Sequence, residues 1–492
     1  MVFKTIAIDH SAISLRGLMV QRYVDFYDLS RGDVETEGRF EQKSVFLPCS
    51  YSLKCANWFV ISEKSFVAHW AKNLLLFVEI IDQTPADQAA VASIPTVETA
   101  RKLVLMSGED ASHDIDKGNL EGKLKTLHQI NWDFNESAKG KTIHSIHPYP
   151  AKFIPEIPLA VIETLKPDRQ GVILDPFCGS GVSLVAAQQC GYDAIGIDLN
   201  PIACLLSRVK TRSIDVFSLA TCADEVISRA KSLLPYCIPD IPNLNHWFNK
   251  NAQIGLTRLT TIIRAIEDET LREALLIACS SIIVKVSNQD SDTRYAAVAK
   301  AVEEQTVYDL FYKAVRQLIH AKSRQNYLTK NKVTVLNSNV LAVQPETFER
   351  RVGLVVTSPP YPNAYEYWLY HKYRMWWLGF DPLAVKEHEI GARSHFFKKN
   401  HHTGDDFLHQ MSQLFSLLDQ VMLPDAFAVF VVGRSIIHGI EYANEELIAR
   451  AATTHNFTHR TTIVRAMKSS RKSFNLAHAR IKSEYIVVVQ HH

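Results

Sequence analysis

The chain has 492 residues, 47% of them hydrophobic, which is enough for two or three domains with real cores. Its formal net charge is +2, so bulk polycationic binding is excluded and any nucleic-acid contact has to come from local patches. The eight cysteines form neither a CxxC pair nor a His/Cys cluster, the first residues are no signal peptide and no run reaches about 18 apolar residues; together these point away from structural zinc and towards a soluble cytoplasmic protein.

Residues 1 to about 82 mix short apolar runs (Val45–Leu47, Trp58–Ile61, Leu74–Val78) with turn residues, as a small β-rich or mixed module would. Pro48-Cys49 has the composition of a nucleophilic Pro-Cys pair, but no partner motif accompanies it and a structural role is expected. A polar stretch to about Gly122 reads as a linker, so residues 1–125 form an accessory module and linker of unread role. Asn131-Trp-Asp-Phe134 then leads into His144-Ser-Ile-His-Pro-Tyr-Pro-Ala-Lys-Phe-Ile-Pro155. Three prolines keep this backbone extended and stiff. It is either a rigid segment packed on a sheet or a lid over a ligand, and the chemistry favours neither.

The most informative stretch follows. Gly171-Val-Ile-Leu174 reads as a strand, Asp175-Pro-Phe-Cys-Gly-Ser-Gly181 as a tight turn, and Val182 to Cys190 as a helix. Gly179 and Gly181 allow the sharp backbone, and free N–H groups at a helix N-terminus suit an anionic or polar ligand. A second strand, Tyr192 to Ile197, ends in Asp198, where an acid can hold a ribose hydroxyl pair. The third glycine of the dinucleotide fingerprint is absent, because Leu184 stands there, so a nucleoside fits better than a pyrophosphate.

After Asn200-Pro201 a short helix runs to about Arg212. Residues 213–332 read as a helical insertion, with Leu256, Leu259, Ile262, Ile263 and Ile266 at core spacing. Asn288, Asp290 and Asp292 hint at a cation loop, but Thr293 and Ala299 replace the glycine and glutamate a calcium loop requires. The sheet pattern resumes with Lys332–Leu336 and with Gly353–Val356, which ends in Thr357-Ser-Pro-Pro-Tyr361. An aromatic helix, Tyr365 to Trp377, follows, then a basic loop with aromatics, Arg393-Ser-His-Phe-Phe-Lys-Lys-Asn-His-His402. Ala426–Val432, Arg460–Val464 and Glu484–Val489 are further strands, the last two an antiparallel pair. Between them Arg465, Lys468, Arg471, Lys472, Arg480 and Lys482 make a basic loop that suits phosphate contact.

The pair Asp175–Gly181 and Thr357-Ser-Pro-Pro-Tyr361 resembles the S-adenosylmethionine-dependent amino methyltransferases of DNA. Ser-Pro-Pro-Tyr looks like the cytosine-N4 branch, and His147-Pro-Tyr-Pro-Ala-Lys-Phe153 is similar to a bacterial subfamily of modification methylases. The resemblance covers roughly residues 130 to 490. It implies a Rossmann-like class I methyltransferase fold, an α/β architecture with a seven-stranded mixed sheet, helices on both faces and the last strand antiparallel. Residues 126–212 would carry the cofactor-binding half, 213–332 the candidate target-recognition region and 333–492 the catalytic half.

By this resemblance Asp175, Pro176, Phe177, Gly179, Ser180 and Gly181 cradle the methionine end of S-adenosylmethionine, Asp198 takes the ribose, and Asn200, Asn339 and Thr357 complete the cofactor set. Asn339 stands where the family often has an acid. Ser358, Pro359, Pro360 and Tyr361 would be catalytic. An exocyclic base amine is a poor nucleophile because its lone pair is delocalised; a hydroxyl and a carbonyl freed by prolines can draw it towards sp³ geometry, and Tyr361 offers a stacking face for an extruded base. Lys152, Lys398, Lys399, Lys468, Arg471 and Lys472 are candidate contacts to double-stranded DNA, and a cognate restriction endonuclease is an implied partner. No metal is expected. Adenine-N6 transfer, RNA guanine-N2 transfer and a non-enzymatic DNA-binding role remain open alternatives.

Overall fold

The computed structural model describes residues 120–134, 142–150, 153–234, 236–292, 294–325, 331–363, 366–397, 401–466 and 483–492. The N-terminal module, Pro48-Cys49 and the candidate DNA contacts Lys152, Lys398, Lys399, Lys468, Arg471 and Lys472 lie outside them.

In chain order the described strands are β1 (Val172–Asp175), β2 (Ala194–Asp198), β3 (Gln289–Ser291), β4 (Arg294–Ala297), β5 (Val333–Asn337), β6 (Val352–Thr357), β7 (Met422–Gly433), β8 (Ser435–Ile437), β9 (Ile440–Tyr442), β10 (Phe457–Ala466) and β11 (Ser483–His491). Seven of them form one sheet in the order β10-β11-β7-β6-β1-β2-β5. The pairs β5–β2, β2–β1, β1–β6 and β6–β7 are parallel, and β11 runs antiparallel to both β7 and β10. This is the mixed sheet expected from the sequence and the strand order of a Rossmann-like class I methyltransferase fold.

The central strands are continuous apolar runs because helices cover both faces. All residues of β1 and β6 are buried. On one face Ile173, Leu354, Val356, Val429 and Val488 pack with the helices Leu120–Gln129, Glu156–Leu165 and Val182–Gln189. On the other, Leu174, Val355, Phe430 and Val487 pack with Gly404–Val421 and Asn444–Thr453. Phe415 lies between Phe430 and Phe457, with centroids 5.2 and 5.1 Å away.

The segment 213–332 is mostly helical, as its periodicity predicts, with Leu256, Leu259, Ile262 and Ile263 in the core and Ile266 partly buried against it. Its helices Val216–Ser232, Lys250–Arg264, Glu269–Ile283 and Glu304–Ser323 share one hydrophobic core with Pro201–Thr211 and with the aromatic helix Tyr367–Leu378. Asn249 and Asp268 cap two of them by accepting backbone N–H bonds. The polar stretch near Asp290, read from sequence as a loop between helices, is instead the β3–β4 hairpin. Its acids are engaged by arginines: Asp290 faces Arg294, and Asp292 pairs with the buried Arg374 of the aromatic helix, whose Nε donates to Ser280 O at 3.1 Å. Arg465 departs from the basic-loop expectation. It is only 5% exposed on β10, where it pairs with Glu484 at 2.5 Å and donates to Trp132 O, so it supports the sheet rather than a phosphate.

Gly171 and Gly353 let β1 and β6 approach closely at their starts. A Cβ on Gly171 would sit 2.6 Å from the Gly353 backbone. Gly171→Ala is therefore expected to destabilise the chain by about 1–3 kcal/mol, the usual cost of overpacking. Urea unfolding checks this; an unchanged midpoint would show that the strands yield freely.

Candidate active site

The two chemical motifs lie at the carboxyl ends of adjacent parallel strands. β1 ends in Asp175, β2 in Asp198 and β6 in Thr357, and the loops beyond them bound a cleft. In open α/β sheets this is the edge where ligands bind. Asp175, Pro176, Phe177, Gly179, Ser180, Asp198, Asn200, Asn339, Ser358 and Pro360 all line it. The structure thus joins residues up to about 180 positions apart.

The turn is held from beneath. Gly179 has φ +47° and Gly181 φ +74°, left-handed conformations that glycine adopts without strain. A Cβ on Gly181 would meet Ser207 Oγ at 2.6 Å. Ser207 Oγ donates to Gly179 O at 3.0 Å, and the buried Lys210 Nζ donates to Ser180 O at 2.6 Å. Lys322 Nζ in turn caps the end of the Pro201–Thr211 helix through Lys210 O and Arg212 O. Neither Ser207 nor Lys210 belongs to a motif; both are one and two turns into a helix that sequence reading treated as scaffold.

Asp198 joins the turn to β2. Its Oδ2 accepts from Gly179 N and its Oδ1 from Asn200 N, both at 2.8 Å. Each oxygen keeps a second lone pair that a ligand hydroxyl could use. Asn200 caps the next helix through Oδ1, which accepts from Ile202 N. Its Nδ2 is buried with no partner among the described residues, although the residue borders the cleft. Asn339 similarly spends Oδ1 on Leu341 N.

Thr357 and Asp175 form a buried pair: Thr357 Oγ1 donates to Asp175 Oδ1 at 2.6 Å, and Phe177 N donates to the same oxygen. Thr357 is fully buried and does not border the cleft, so it bears on a ligand through Asp175 rather than directly. Ser358 and Pro360 border the cleft; Pro359 is buried and Tyr361 packs into the apolar layer below, its hydroxyl 3.5 Å from Glu484. Gly391, at φ +74°, backs this loop closely: a Cβ there would lie 2.7 Å from Tyr361 O and 3.2 Å from Pro360 O.

Tyr149 and Phe153 of the proline-rich segment also border the cleft. The Tyr149 ring lies beside Gly179 and stacks on Tyr367 with centroids 5.9 Å apart. His147, on the same segment, is buried and bonded to Ser280 at 2.9 Å, and Trp132 is buried beneath with its indole N–H on Leu127 O. The segment therefore does both things the sequence left open: it packs against the scaffold and roofs the turn.

Glu389 was not singled out by sequence. No motif marks it, because its role depends on a helix start far away in the chain. Its Oε1 and Oε2 accept from Tyr367 N and Trp368 N, at 2.7 and 2.8 Å, capping the aromatic helix with a buried carboxylate at the cleft wall. Burial pushes its carboxyl up to about 8, and burial likewise raises Asp175 and Asp198 to about 6. Three acids crowd one desolvated cleft, a donor set that suits a cationic ligand.

The sign of the Glu389 effect fixes a test. A carboxyl whose folded pKa lies above its unfolded value contributes stability that is full below the unfolded pKa and is lost as pH rises through the folded one. Asp175 and Asp198 have their midpoints near pH 6 and titrate in wild type and in a Glu389 variant alike, so the difference between the two reads Glu389. Lys322, lowered by burial to about 7, is shared by wild type and variant and cancels in their difference. Relative to Glu389→Gln, the wild type is expected to lose stability progressively from pH 6 to 8. Urea midpoints across that range would contradict this if the difference stayed constant.

A family model described as DNA methylase matches residues 81–208. The chain is 28% identical over 282 residues to Type II methyltransferase M.MvaI of Kocuria varians, covering 51% of this chain and 60% of that protein. It is 34% identical over 118 residues to Type II methyltransferase M.MjaII of Methanocaldococcus jannaschii, covering 23% and 22%. The chain thus spans well under two thirds of the length of both relatives. Among solved structures, the rRNA methyltransferase aviRa from Streptomyces viridochromogenes aligns over 70% of this chain and 88% of its own at 11% identity and a TM-score of 0.27, so the fold assignment rests on the sheet order itself. With that order, the matches support a domain like those of the S-adenosylmethionine-dependent DNA amino methyltransferases.

Proposed function

We propose that this chain is a site-specific DNA methyltransferase that transfers a methyl group from S-adenosylmethionine to the exocyclic N4 amine of cytosine in double-stranded DNA. The observation that carries the reading is the position of Ser358. It stands at the tip of β6 on the same cleft as the Asp175–Gly181 turn and Asp198.

The residues fit the cofactor. The glycine turn roofed by Tyr149, the free lone pairs of Asp198, the unpartnered Nδ2 of Asn200 and the acidic cleft suit a nucleoside bearing a positive charge. When bound, S-adenosylmethionine supplies an activated methyl on a sulfonium. Asp198 would hold the ribose hydroxyls, and the backbone of Phe177 to Ser180 the amino-acid end. Asn339, whose Oδ1 accepts from Leu341 N, would lie beside the adenine.

The chain's own part in the reaction is alignment and proton handling. Ser358 would accept a hydrogen bond from the cytosine amine, and the Pro359 carbonyl, unhindered by any N–H of Pro360, would accept a second. Together they weaken delocalisation of the nitrogen lone pair into the ring. Holding nitrogen and methyl in line accounts for most of the acceleration in this scheme, so no covalent nucleophile is required. A paired cytosine cannot reach the cleft, so the base is extruded from the duplex. Tyr361 contributes by fixing the loop that carries Ser358 rather than as an open stacking platform. Basic segments near 393–402 and 468–482 are proposed phosphate contacts, and a restriction endonuclease of the same specificity is the proposed biological partner. Among the described residues no helix is long and apolar enough to cross a membrane, and no group of His, Cys, Asp and Glu is arranged to hold a metal ion.

Nucleoside mass spectrometry of plasmid DNA from a methylation-free host expressing the chain tests the reading. N4-methylcytosine is expected; N6-methyladenine would retain the site and overturn the assignment of the base. Ser358→Ala should lower the modified base on the order of 10²-fold, as loss of one hydrogen bond to a reacting group does, and an undiminished yield would remove Ser358 from the reaction.

A further inference from the structure

We infer that the β8–β9 hairpin is a rigid apolar prong that enters duplex DNA beside the extruded target base and occupies the stack that the base has left. The inference rests on the proposed DNA methyltransferase reading and adds to it the element that opens the duplex.

Three observations lead here. First, the hairpin leaves the sheet at the ligand edge. β7 pairs with β6 so that Phe430 lies opposite Thr357, and β8 begins two residues after β7 ends at Gly433. It is bonded to the catalytic loop: Asn363, two residues beyond Tyr361, donates from Nδ2 to Ile436 O at 2.8 Å. Secondly, it is stiff. Its two turn residues, His438 and Gly439, both have positive φ, +49° and +83°, the tight turn whose twist matches paired strands. Asn444 Nδ2 ties its base to Gly433 O and Ser435 Oγ, both at 2.7 Å, and His438 Nε2 contacts Phe396 O at 2.7 Å.

Thirdly, it exposes large apolar side chains beside its turn, with the exposed carboxylate of Glu441 paired to Arg434 at 3.6 Å. Ile436 is 52% exposed and Ile440 60%, and Phe397, which meets His438 edge-on at 5.9 Å, is 60% exposed. These are three of the eight large hydrophobic side chains exposed among the described residues, gathered on two adjoining loops. Packing does not require them there. Cationic groups flank them: the Arg393 guanidinium lies over the Phe397 ring at 5.2 Å, and Arg434 stands 3.6 Å from Glu441 of the hairpin; the exposed His401 ring sits 4.4 Å from His438.

Apolar side chains on a firm support beside cations match a nucleic-acid duplex better than a protein partner. Phosphates take the cations, and an aliphatic wedge fills a gap between base pairs and offsets part of the unstacking cost. Ile440, next to the turn, is wedge-sized; Ile436 lies on the other face of the hairpin opposite Glu441, and the bond of its carbonyl to Asn363 would place the gap next to the loop that receives the base.

The test uses the full chain and oligonucleotide duplexes carrying its methylation site, mapped by sequencing modified plasmid. One duplex has the target base paired and the other has it mispaired, which removes most of the opening cost in advance. Ile436→Ser/Ile440→Ser is expected to methylate the paired duplex at least tenfold more slowly than wild type and the mispaired duplex within threefold of wild type. Its calorimetric affinity for S-adenosylmethionine should match that of wild type. Phe397→Ser should show the same pattern more weakly. Equal loss on both duplexes, or no loss on the paired one, would overturn the inference. So would unchanged methylation with a lower oligomeric mass by light scattering, which would make the prong a contact between copies of the chain. A wild type that methylates neither duplex would instead refute the methyltransferase reading, and the prong with it.

Discussion

The carboxylate of Asp198 is the contact on which the site depends. It stands at the end of β2 and accepts one N–H from the turn after β1 and another from the start of the following helix. That single group sets the spacing between two parallel strand tips and fixes the left-handed Gly179 in place. Because its partners are backbone amides, the arrangement tolerates change in most surrounding side chains but not loss of the acid. Lys210 and Ser207 extend the same logic, holding the carbonyls of Ser180 and Gly179 in the turn. The strand order then does the rest: with β1 between β2 and β6, any ligand seated on the turn is presented to the loop after β6.

Burial gives the cleft its chemistry. Asp175, Asp198 and Glu389 lie within one desolvated space, where ionised carboxylates are costly without a counter-charge. In the protein alone this cost appears as raised carboxyl pKa values. A bound cation would relieve it, which favours a positively charged ligand over its neutral counterpart. Thr357 and Glu389 also have structural duties, one bridging β6 to β1 and the other capping the aromatic helix, so the turn after β1 and the loop after β6 are mechanically continuous.

Much of this was legible in the sequence because it is local. The strand–turn–helix around Asp175–Gly181 and the strand ending in Thr357-Ser-Pro-Pro-Tyr361 announce themselves through glycine, proline and apolar runs a few residues long. The seven strands of the sheet follow from the same signals. What escaped is non-local. Glu389 acts on a helix that starts 22 residues earlier, Thr357 reaches Asp175 across 182 positions, and Arg374 bonds to Ser280 across 94. Nothing in the spacing of residues marks such pairs. Arg465 illustrates the converse error: it sits in a basic run by sequence, yet its strand turns it inward onto Glu484. The β3–β4 hairpin was missed because its residues are polar and short, without the alternation that identifies a strand.

The measurement that bears most directly on the account is calorimetric titration of the purified chain with S-adenosylmethionine, comparing wild type, Asp198→Ala and Ser358→Ala with matched circular dichroism. One site per chain is predicted for wild type, with affinity at least tenfold weaker in Asp198→Ala and within threefold of wild type in Ser358→Ala. Binding lost equally in both variants, or retained in Asp198→Ala, would contradict the division of the cleft into a cofactor turn and a separate catalytic loop.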